Sequence, residues 1–195
     1  GVITTFMILF GINFNLYFLL LIGEYKMVFK NEELKAYLLI ISLSTAAITL
    51  NISGQYPNPL KAFRYAVFQV ASIITTTGYA TADYNEWPMF SQCILLFLMI
   101  VGACASSTGG GMKVSRFLMV LKNIKQEIMK LAHPKSVNII RVNGKKVDHE
   151  VLRSVNVYLM SYAALLIGSV LLISIDNMDF ATTFSSVLAT MNNIG

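Results

Sequence analysis

Long apolar runs alternate with short polar segments along this chain. A helix of about 20 apolar residues crosses a bilayer, and runs of that character occupy Gly1–Gly23, Ala36–Ile52, Trp87–Cys104 and Val155–Ile175. Only 13% of the 195 residues are charged and 55% are hydrophobic, whereas a soluble domain has roughly 25% charged residues. The pattern therefore predicts an all-α membrane protein with several spanning helices.

The first apolar run raises the question of a signal peptide. Residues 1–23 lack a basic leading segment and a small-residue cleavage site, and the apolar run is too long for a signal peptide. We therefore expect a spanning helix whose true beginning lies upstream.

Lysine and arginine cluster in two segments, and this distribution predicts the topology. Basic connections are retained in the cytoplasm, where they also attract anionic lipid, so we expect a multi-pass protein of the plasma or inner membrane with both clusters inside. Acidic residues dominate the connections that are then external. The first cluster is Lys26, Lys30 and Lys35; the second is Lys113, Arg116, Lys122, Lys125, Lys130, Lys135, Arg141, Lys145, Lys146 and Arg153; the external charges are Asp83, Glu86, Asp176 and Asp179, with Lys61 and Arg64.

The apolar segment Lys61–Thr77 begins and ends on the external side of this topology. It has only about 15 residues, which is too short for two crossings, so we expect a short re-entrant helix. The sequence TTTGYAT at residues 75–81 would be its extended return limb. Because non-helical backbone at membrane depth is tolerated only inside protein or beside a watery cavity, we expect this limb to face a pore.

The return limb has the composition of a cation site. Backbone carbonyls can replace the water of an alkali ion, and Gly78 permits the backbone angles that such a turn requires. Thr75–Thr77 can add hydroxyl oxygens without a fixed charge, and the negative end of the preceding helix points at the site. Asp83 and Glu86 follow at the outer mouth, where they would raise the local cation concentration.

The end of the chain repeats this plan. Residues 176–195, DNMDFATTFSSVLATMNNIG, combine an acidic external start, a short apolar helix and a polar strip that ends in glycine. Aligning Gly78 with Gly195 places Thr75–Thr77 opposite Asn192–Ile194. The alternative is a chance similarity of two apolar stretches.

A glycine-rich segment at residues 102–117, GACASSTGGGMKVSRF, interrupts an apolar stretch that would otherwise run from Met89 to Leu121. Each glycine costs roughly 1 kcal/mol against alanine in a helix, and a break inside a membrane indicates a cavity or motion. We expect a gate below the pore, with packing through small residues as the alternative. A phosphate-binding loop is disfavoured because the P-loop spacing is absent. The gate residues would be Ser106, Ser107, Thr108, Gly109, Gly110 and Gly111.

The cysteines and histidines do not predict a metal site. Cys93 and Cys104 lie about eleven residues apart on one predicted helix, too far to form a disulfide at ~1.5 Å rise per residue, and we expect two buried small apolar side chains. His133 and His149 lie apart in a basic loop and are expected to be solvated. No zinc spacing occurs, and a membrane-dominated chain is not expected to bind nucleic acid.

The cytoplasmic segment VNIIRVNGKKVDHEV at residues 137–151 predicts a β-hairpin. Asn143-Gly144 is a favoured two-residue turn between its strands. The hairpin could be a docking surface for a soluble partner or a compact connector, and the sequence favours neither.

Together these residues resemble the Trk/Ktr/HKT superfamily of potassium transporters, most closely its TrkH-type membrane subunits. The resemblance is carried by residues 75–88 (TTTGYATADYNEWP), 102–117 and 189–195 (ATMNNIG). It extends to residues 10–18 (FGINFNLYF), 29–34 (FKNEEL) and 133–147 (HPKSVNIIRVNGKKV), and so covers essentially the whole chain.

The resemblance implies a fold and a site. Members have four span–pore-helix–filter–span repeats around one ion path, as in a K⁺ channel, and each repeat supplies one filter glycine. Gly78 corresponds to the third of these glycines and Gly195 to the fourth, and Gly109–Gly111 correspond to the intramembrane gating loop. The filter residues implied for K⁺ are Thr75, Thr76, Thr77, Gly78 and Tyr79 in one strip and Asn192, Asn193, Ile194 and Gly195 in the other.

The resemblance also divides the chain. Residues 1–35 correspond to the inner helix of repeat two with a cytoplasmic connector, and residues 36–132 to a complete repeat three. Residues 133–153 correspond to the cytoplasmic hairpin connector, and residues 154–195 to the outer helix, pore helix and filter start of repeat four. Two filter strips cannot encircle an ion, so we expect this chain to be part of a longer protein.

The implied activity is potassium uptake across the cell membrane, without enzymatic chemistry or a covalently bound cofactor, with K⁺ as the substrate. The implied partners are a second copy in a homodimer, membrane lipid, and soluble cytoplasmic subunits that bind nucleotides. Transport of Na⁺ or of mixed monovalent cations is the alternative within the superfamily.

Two further classes are less compatible with the sequence. An intramembrane enzyme is disfavoured because polar residues such as Ser106–Thr108 and Asn192–Asn193 have no carboxylate pair or intramembrane histidine beside them. A structural membrane anchor would not need two filter-like strips.

Overall fold

A computed structural model describes residues 1–133 and 140–195 of the chain, and within them nine α-helices dominate. The all-α prediction is confirmed. The helices are α1 Val2–Phe10, α2 Phe14–Leu21, α3 Tyr25–Lys30, α4 Glu32–Ile52, α5 Pro59–Ile74, α6 Met89–Val101, α7 Val114–Ala132, α8 His149–Ile173 and α9 Phe180–Met191. Short 3₁₀ turns lie at Ser53–Gln55, Tyr84–Glu86 and Ser174–Asp176, and two short strands are β1 Arg141–Val142 and β2 Lys145–Lys146.

Two helices of the described residues are long and apolar enough to cross a membrane. Each includes the 3₁₀ turn that follows it, so the segments are Glu32–Gln55 and His149–Asp176. They contain the predicted spans Ala36–Ile52 and Val155–Ile175, and the last two residues of the second span lie in the 3₁₀ turn that follows α8.

The prediction of one continuous helix over residues 1–23 is wrong, although the two helices found there are together apolar enough for a broken span. α1 and α2 are separate helices that meet at an angle of 93°. The side chain of Asn13 accepts a hydrogen bond from the Asn15 N–H at 2.9 Å, and asparagine at this position favours the start of a new helix. The bend lies against residues 104–108, which satisfy its free backbone groups.

The third predicted span, residues 87–104, is also shorter than expected. α6 has 13 residues, which gives about 20 Å of helix at 1.5 Å per residue, less than the roughly 30 Å of a bilayer core. It ends at Val101, because the next residue, Gly102, has a φ of 68° that is incompatible with a continuing helix. The irregular segment 102–113, named here the glycine loop, then leads into α7.

The pair α8–α9 repeats the pair α4–α5. α4 begins at Glu32 and α8 at His149, 117 residues later, and α5 ends at Ile74 and α9 at Met191, again 117 residues later. The long helix has 21 residues in the first pair and 25 in the second, and the short helix has 16 and 12. In the second pair the long helix is therefore about one helical turn longer and the short helix about one turn shorter than in the first pair. The start of the long helix and the end of the short helix keep the same spacing of 117 residues.

α4 contributes one buried face to the core. Its buried residues recur every three or four positions, as expected for one face of a helix, and they pack against α5, α6 and the bend after α1. These residues are Glu33, Tyr37, Ile41, Thr45, Ile48 and Ile52.

Three smaller predictions have different outcomes. Cys104 is buried as predicted, but Cys93 is exposed because α6 turns Ser91, Leu95 and Leu98 toward the core. His149 is the first residue of α8 and not part of a loop.

The hairpin is confirmed. β1 and β2 pair antiparallel around Asn143-Gly144, and residues 137–139 of its predicted first strand lie outside the described residues.

A substitution at Gly11, in the bend between α1 and α2, tests this packing. A Cβ atom added there would overlap the Tyr37 hydroxyl and lie 2.8 Å from Cγ2 of Thr75. We expect Gly11→Ala to lower the free energy of unfolding of the detergent-purified protein by about 1–3 kcal/mol through overpacking. Thermal unfolding measures this change.

The matched control is Gly54→Ala, because nothing lies within 4 Å of a Cβ added at Gly54. We expect its effect to stay within about 0.5 kcal/mol. Equal effects of the two substitutions would contradict the close packing at the bend.

Candidate functional site

α5 ends at the first strip, residues 75–79, in a Schellman motif. The Thr77 N–H donates to the Ser72 carbonyl at 2.8 Å, and the Thr76 N–H donates to the Ile73 carbonyl at 3.1 Å. This motif requires a left-handed residue, and Thr76 occupies it with φ 54°. A β-branched residue rarely adopts such an angle. Backbone strain of this kind costs about 1–3 kcal/mol and is concentrated at functional sites.

α9 ends at the second strip, residues 192–195, in the same motif. The Ile194 N–H donates to the Ala189 carbonyl at 2.8 Å, and the Asn193 N–H donates to the Thr190 carbonyl at 3.1 Å. Asn193 is left-handed with φ 56°. Every one of these positions lies 117 residues after its counterpart in the first strip, so the similarity of the two strips is a shared backbone geometry.

The two strips lie side by side. A Cβ atom added to Gly78 would overlap the carbonyl oxygen of Ile194 and lie 3.1 Å from its carbonyl carbon. Gly78 has φ 77° and Gly195 has φ 104°. The first strip can therefore approach the second this closely only because residue 78 has no side chain.

The first residue of each strip is tied back to its own helix. Thr75 Oγ1 donates to the Ala71 carbonyl at 2.7 Å, and the buried Asn192 side chain donates to the Leu188 carbonyl at 2.9 Å. Asn192 also exchanges hydrogen bonds with the hydroxyl of Tyr162 on α8. These side chains fix where each strip begins.

The threonine hydroxyls of the first strip are engaged within the protein. Oγ1 of Thr75 and Oγ1 of Thr77 lie 2.8 Å apart, and Oγ1 of Thr76 accepts a hydrogen bond from the Gly110 N–H at 2.7 Å. These hydrogen bonds hold the backbone of the strip in place. The expectation that the hydroxyl oxygens also serve an ion stays a prediction.

The glycine loop packs against the ends of both strips nearest α5 and α9. A Cβ atom at Gly109 would lie 3.2 Å from the Thr75 carbonyl oxygen, and one at Gly110 would overlap the Asn192 carbonyl oxygen. The structure thus brings together the two strips and the loop that the sequence singled out. No side chain larger than hydrogen fits at Gly110 in this position.

The bend between α1 and α2 supports the other side of the glycine loop. The Cys104 N–H donates to the Gly11 carbonyl at 3.0 Å, and the Phe14 N–H donates to the Ser106 carbonyl at 3.0 Å. Thr108 donates through both its N–H and its hydroxyl to the Phe10 carbonyl, at 3.4 and 3.3 Å.

Contacts within the loop add to this support. The Ser107 hydroxyl donates to the Cys104 carbonyl at 2.6 Å, and the Lys113 ammonium donates to the Gly109 carbonyl. Gly111, with φ 74°, lies against Gly102, so the loop closes on its own start.

Glu33 also contacts the glycine loop, although no pattern in the sequence pointed to it. Its Oε1 accepts hydrogen bonds from the N–H groups of Ala105 and Ser115, at 2.6 and 3.2 Å. An acidic residue in the first turn of a helix is ordinary, and no sequence signal connects it to a loop 72 residues away.

The acidic residues predicted at the outer mouth, Asp83 and Glu86, are exposed. Asp83 accepts a hydrogen bond from the Asn85 N–H at 2.9 Å and so caps the turn Tyr84–Glu86. At the start of α9, hydrogen bonds from Thr182 lower the pKa of Asp179. A cavity of about 340 Å³ lies beside both strips, with Gly78, Gln69, Ser186, Thr190, Ile194 and Gly195 among its lining residues.

Within residues 1–133 and 140–195, no group of three or more histidine, cysteine or acidic side chains is placed to hold a metal ion. The oxygens that the strips offer are those of the backbone and of neutral side chains.

The whole chain, residues 1–195, matches the family model described as "TrkH: Cation transport protein". It is 34% identical to the Trk system potassium uptake protein TrkH of Vibrio parahaemolyticus over 97% of this chain and 40% of that protein. It is 33% identical to the Trk system potassium uptake protein TrkH of Escherichia coli K12, over 100% of this chain and 41% of that protein. It is also 33% identical to the Trk system potassium uptake protein TrkG of E. coli K12, over 98% of this chain and 40% of that protein.

The fold is that of a solved member of this group. The crystal structure of the potassium transporter TrkH from V. parahaemolyticus superimposes with a TM-score of 0.90 at 34% identity, over 98% of this chain and 42% of that chain. The chain therefore spans about two fifths of the length of the relatives it matches. It belongs to the TrkH family of cation transport proteins.

Proposed function

We propose that this chain is part of a potassium uptake protein in which the two strips supply backbone carbonyls to a selectivity filter and the glycine loop is the gate. The observation that carries the proposal is the meeting of three irregular segments, since Gly78 lies on the backbone of Ile194 and Gly110 on that of Asn192. The relatives named for potassium uptake and the matched potassium transporter support the choice of ion.

The backbone of the strips suits a cation. Thr76 and Gly78 have positive φ, and Asn193 and Gly195 repeat this alternation. In a β-strand successive carbonyls point to opposite sides, whereas alternating handedness turns them toward one side, where they can replace the hydration shell of an ion. The carboxyl-terminal ends of α5 and α9 also point at the strips, and their partial negative charge favours a cation.

The glycine loop has the position of a gate. It lies at the strip ends from which α5 and α9 arrive, directly against the carbonyls of Thr75 and Asn192. An ion that left the strips in this direction would meet the loop, so the loop must move before the ion can pass.

Membership of the family supports a proposal for the membrane and the partners of this site. We place the protein in the cell's plasma or inner membrane as a multi-pass protein, with the basic connections inside. We propose that it works as a homodimer with nucleotide-binding cytoplasmic subunits, and co-purification from detergent extracts with mass measurement tests both partners. The exposed hairpin β1–β2 is a candidate surface for such a subunit.

Selectivity tests the filter assignment. In the full-length protein, Gly78→Ser places a side chain against the Ile194 carbonyl at a left-handed position, so the carbonyls of both strips must shift. We expect the preference for K⁺ over Na⁺ to fall about tenfold, equivalent to about 1.4 kcal/mol. Competitive uptake of K⁺ and Na⁺ measures the preference.

Gly54→Ser is the matched control, since that position is exposed and open. Unchanged selectivity of the Gly78 variant at normal yield would remove Gly78 from the filter. If the wild-type protein itself showed no preference for K⁺, the alternative of Na⁺ or mixed cation transport would replace the proposal.

Deletion of Gly109–Gly111 tests the gate. If these residues obstruct the path, the deletion removes the barrier and keeps every residue of both strips, so rubidium flux through the reconstituted protein without added subunits should rise. Flux is measured in proteoliposomes beside the yield of monodisperse protein.

The alternative of helix packing through small residues predicts another result. In that case the deletion lowers flux and yield together, because contacts between helices are lost. Gly110→Ala helps to separate the gate from the packing explanation, because its Cβ displaces the loop from the Asn192 carbonyl without shortening the chain.

A further inference from the structure

Glu33 is a buried carboxyl that ties together the two ends of the glycine loop. It lies in the first turn of α4 and is 6% exposed. One oxygen, Oε1, accepts from the N–H of Ala105 before the glycine run and from the N–H of Ser115 after it. The loop between these two residues therefore cannot leave the strips freely while both hydrogen bonds persist.

The second of these bonds also satisfies the start of α7. The first N–H groups of a helix have no partner within the helix, and the residue that precedes α7, Lys113, provides no side-chain cap. Glu33 supplies this cap from α4. Its carboxyl also interacts favourably with the positive end of the α7 helix dipole. Lys113 is near enough for its charge to attract that of Glu33.

The neighbouring residue, Glu32, is connected to the cytoplasmic hairpin. Its N–H donates to Oδ1 of Asn143 at 2.7 Å. Lys122 on α7 donates both to the Glu32 carboxyl and, at 2.6 Å, to the Arg141 carbonyl. The first turn of α4 thus contacts the hairpin through one residue and the glycine loop through the next.

We propose that Glu33 is a positioning residue that latches the glycine loop against the strips, and that the hairpin controls this latch through the first turn of α4. The inference rests on the proposed function of the loop as a gate. A displacement of the hairpin pulls on Glu32, shifts Glu33, and weakens its hold on Ala105 and Ser115.

The latch is tested with full-length variants reconstituted without added subunits, by rubidium flux, K⁺/Na⁺ preference and yield of monodisperse protein. Glu33→Ala removes two hydrogen bonds to a carboxylate, and we expect flux to rise tenfold or more, because hydrogen bonds to charged groups are stronger than those between neutral groups. Glu33→Gln keeps an oxygen acceptor but removes the charge, so we expect flux to rise less than in Glu33→Ala, by about two- to fivefold.

Both variants should retain the K⁺/Na⁺ preference of the wild type, because the strips are unchanged. Glu127→Gln is the matched control, since Glu127 is an exposed carboxyl on α7 that pairs with Lys130. If Glu33→Ala does not fold, the isosteric Glu33→Gln decides the question alone. Flux at the wild-type level in a well-folded Glu33→Gln protein would overturn the latch.

The hairpin's control of the latch is tested by a double-mutant cycle. We expect Asn143→Ala to raise flux in the wild-type background and to add nothing in the Glu33→Ala background, where both hydrogen bonds of the latch are removed. Independent, additive effects, or no effect of Asn143→Ala, would overturn this control.

The loop deletion in the same assay separates the latch from the gate. A rise in flux on deletion of Gly109–Gly111 without a rise in the Glu33 variants refutes the latch and leaves the gate in place. No rise in either refutes the gate and the latch with it.

Discussion

Irregular backbone within an apolar protein needs hydrogen-bond partners from neighbouring segments, because lipid offers none. In this chain three such segments supply one another: the strip after α5, the bend between α1 and α2, and the glycine loop. The bend bonds to the loop through Gly11 and Phe14, and the loop bonds to the first strip through Gly110. Removing any one segment leaves polar backbone groups of the others unpaired, at a cost of about 1–3 kcal/mol each.

The same constraint explains why two different sequences give one geometry. Thr75–Thr77 and Asn192–Ile194 share no residue, yet both helices end with identical hydrogen bonds and a left-handed residue at the same place. Asparagine tolerates the left-handed region, whereas threonine does not. In the first strip the Gly110 N–H bonded to the Thr76 hydroxyl helps to offset this strain, so the glycine loop also stabilises the strip it covers.

Much of the fold could be predicted because its signals are local. The length of the apolar runs predicted α4 and α8, Asn143-Gly144 predicted the hairpin turn, and the repeated order of residues predicted the two strips. The bend at residues 11–13 was missed, although Asn13 is a favourable helix start, because the run as a whole was apolar enough to span. Its partners lie about 90 residues further along the chain. Glu33 was missed for the same physical reason, since its partners Ala105 and Ser115 lie 72 and 82 residues away.

In the proposed filter, the backbone carbonyls of the two strips hold the transported ion. Crystals of the full-length protein grown in Rb⁺ test it directly, because Rb⁺ replaces K⁺ and its anomalous scattering locates it independently of the protein. We predict an anomalous peak between the strips, in contact with backbone carbonyl oxygens of residues 76–78 and 193–195. Rb⁺ bound elsewhere, with no peak at the strips in a protein that transports Rb⁺ in vesicles, would contradict the account.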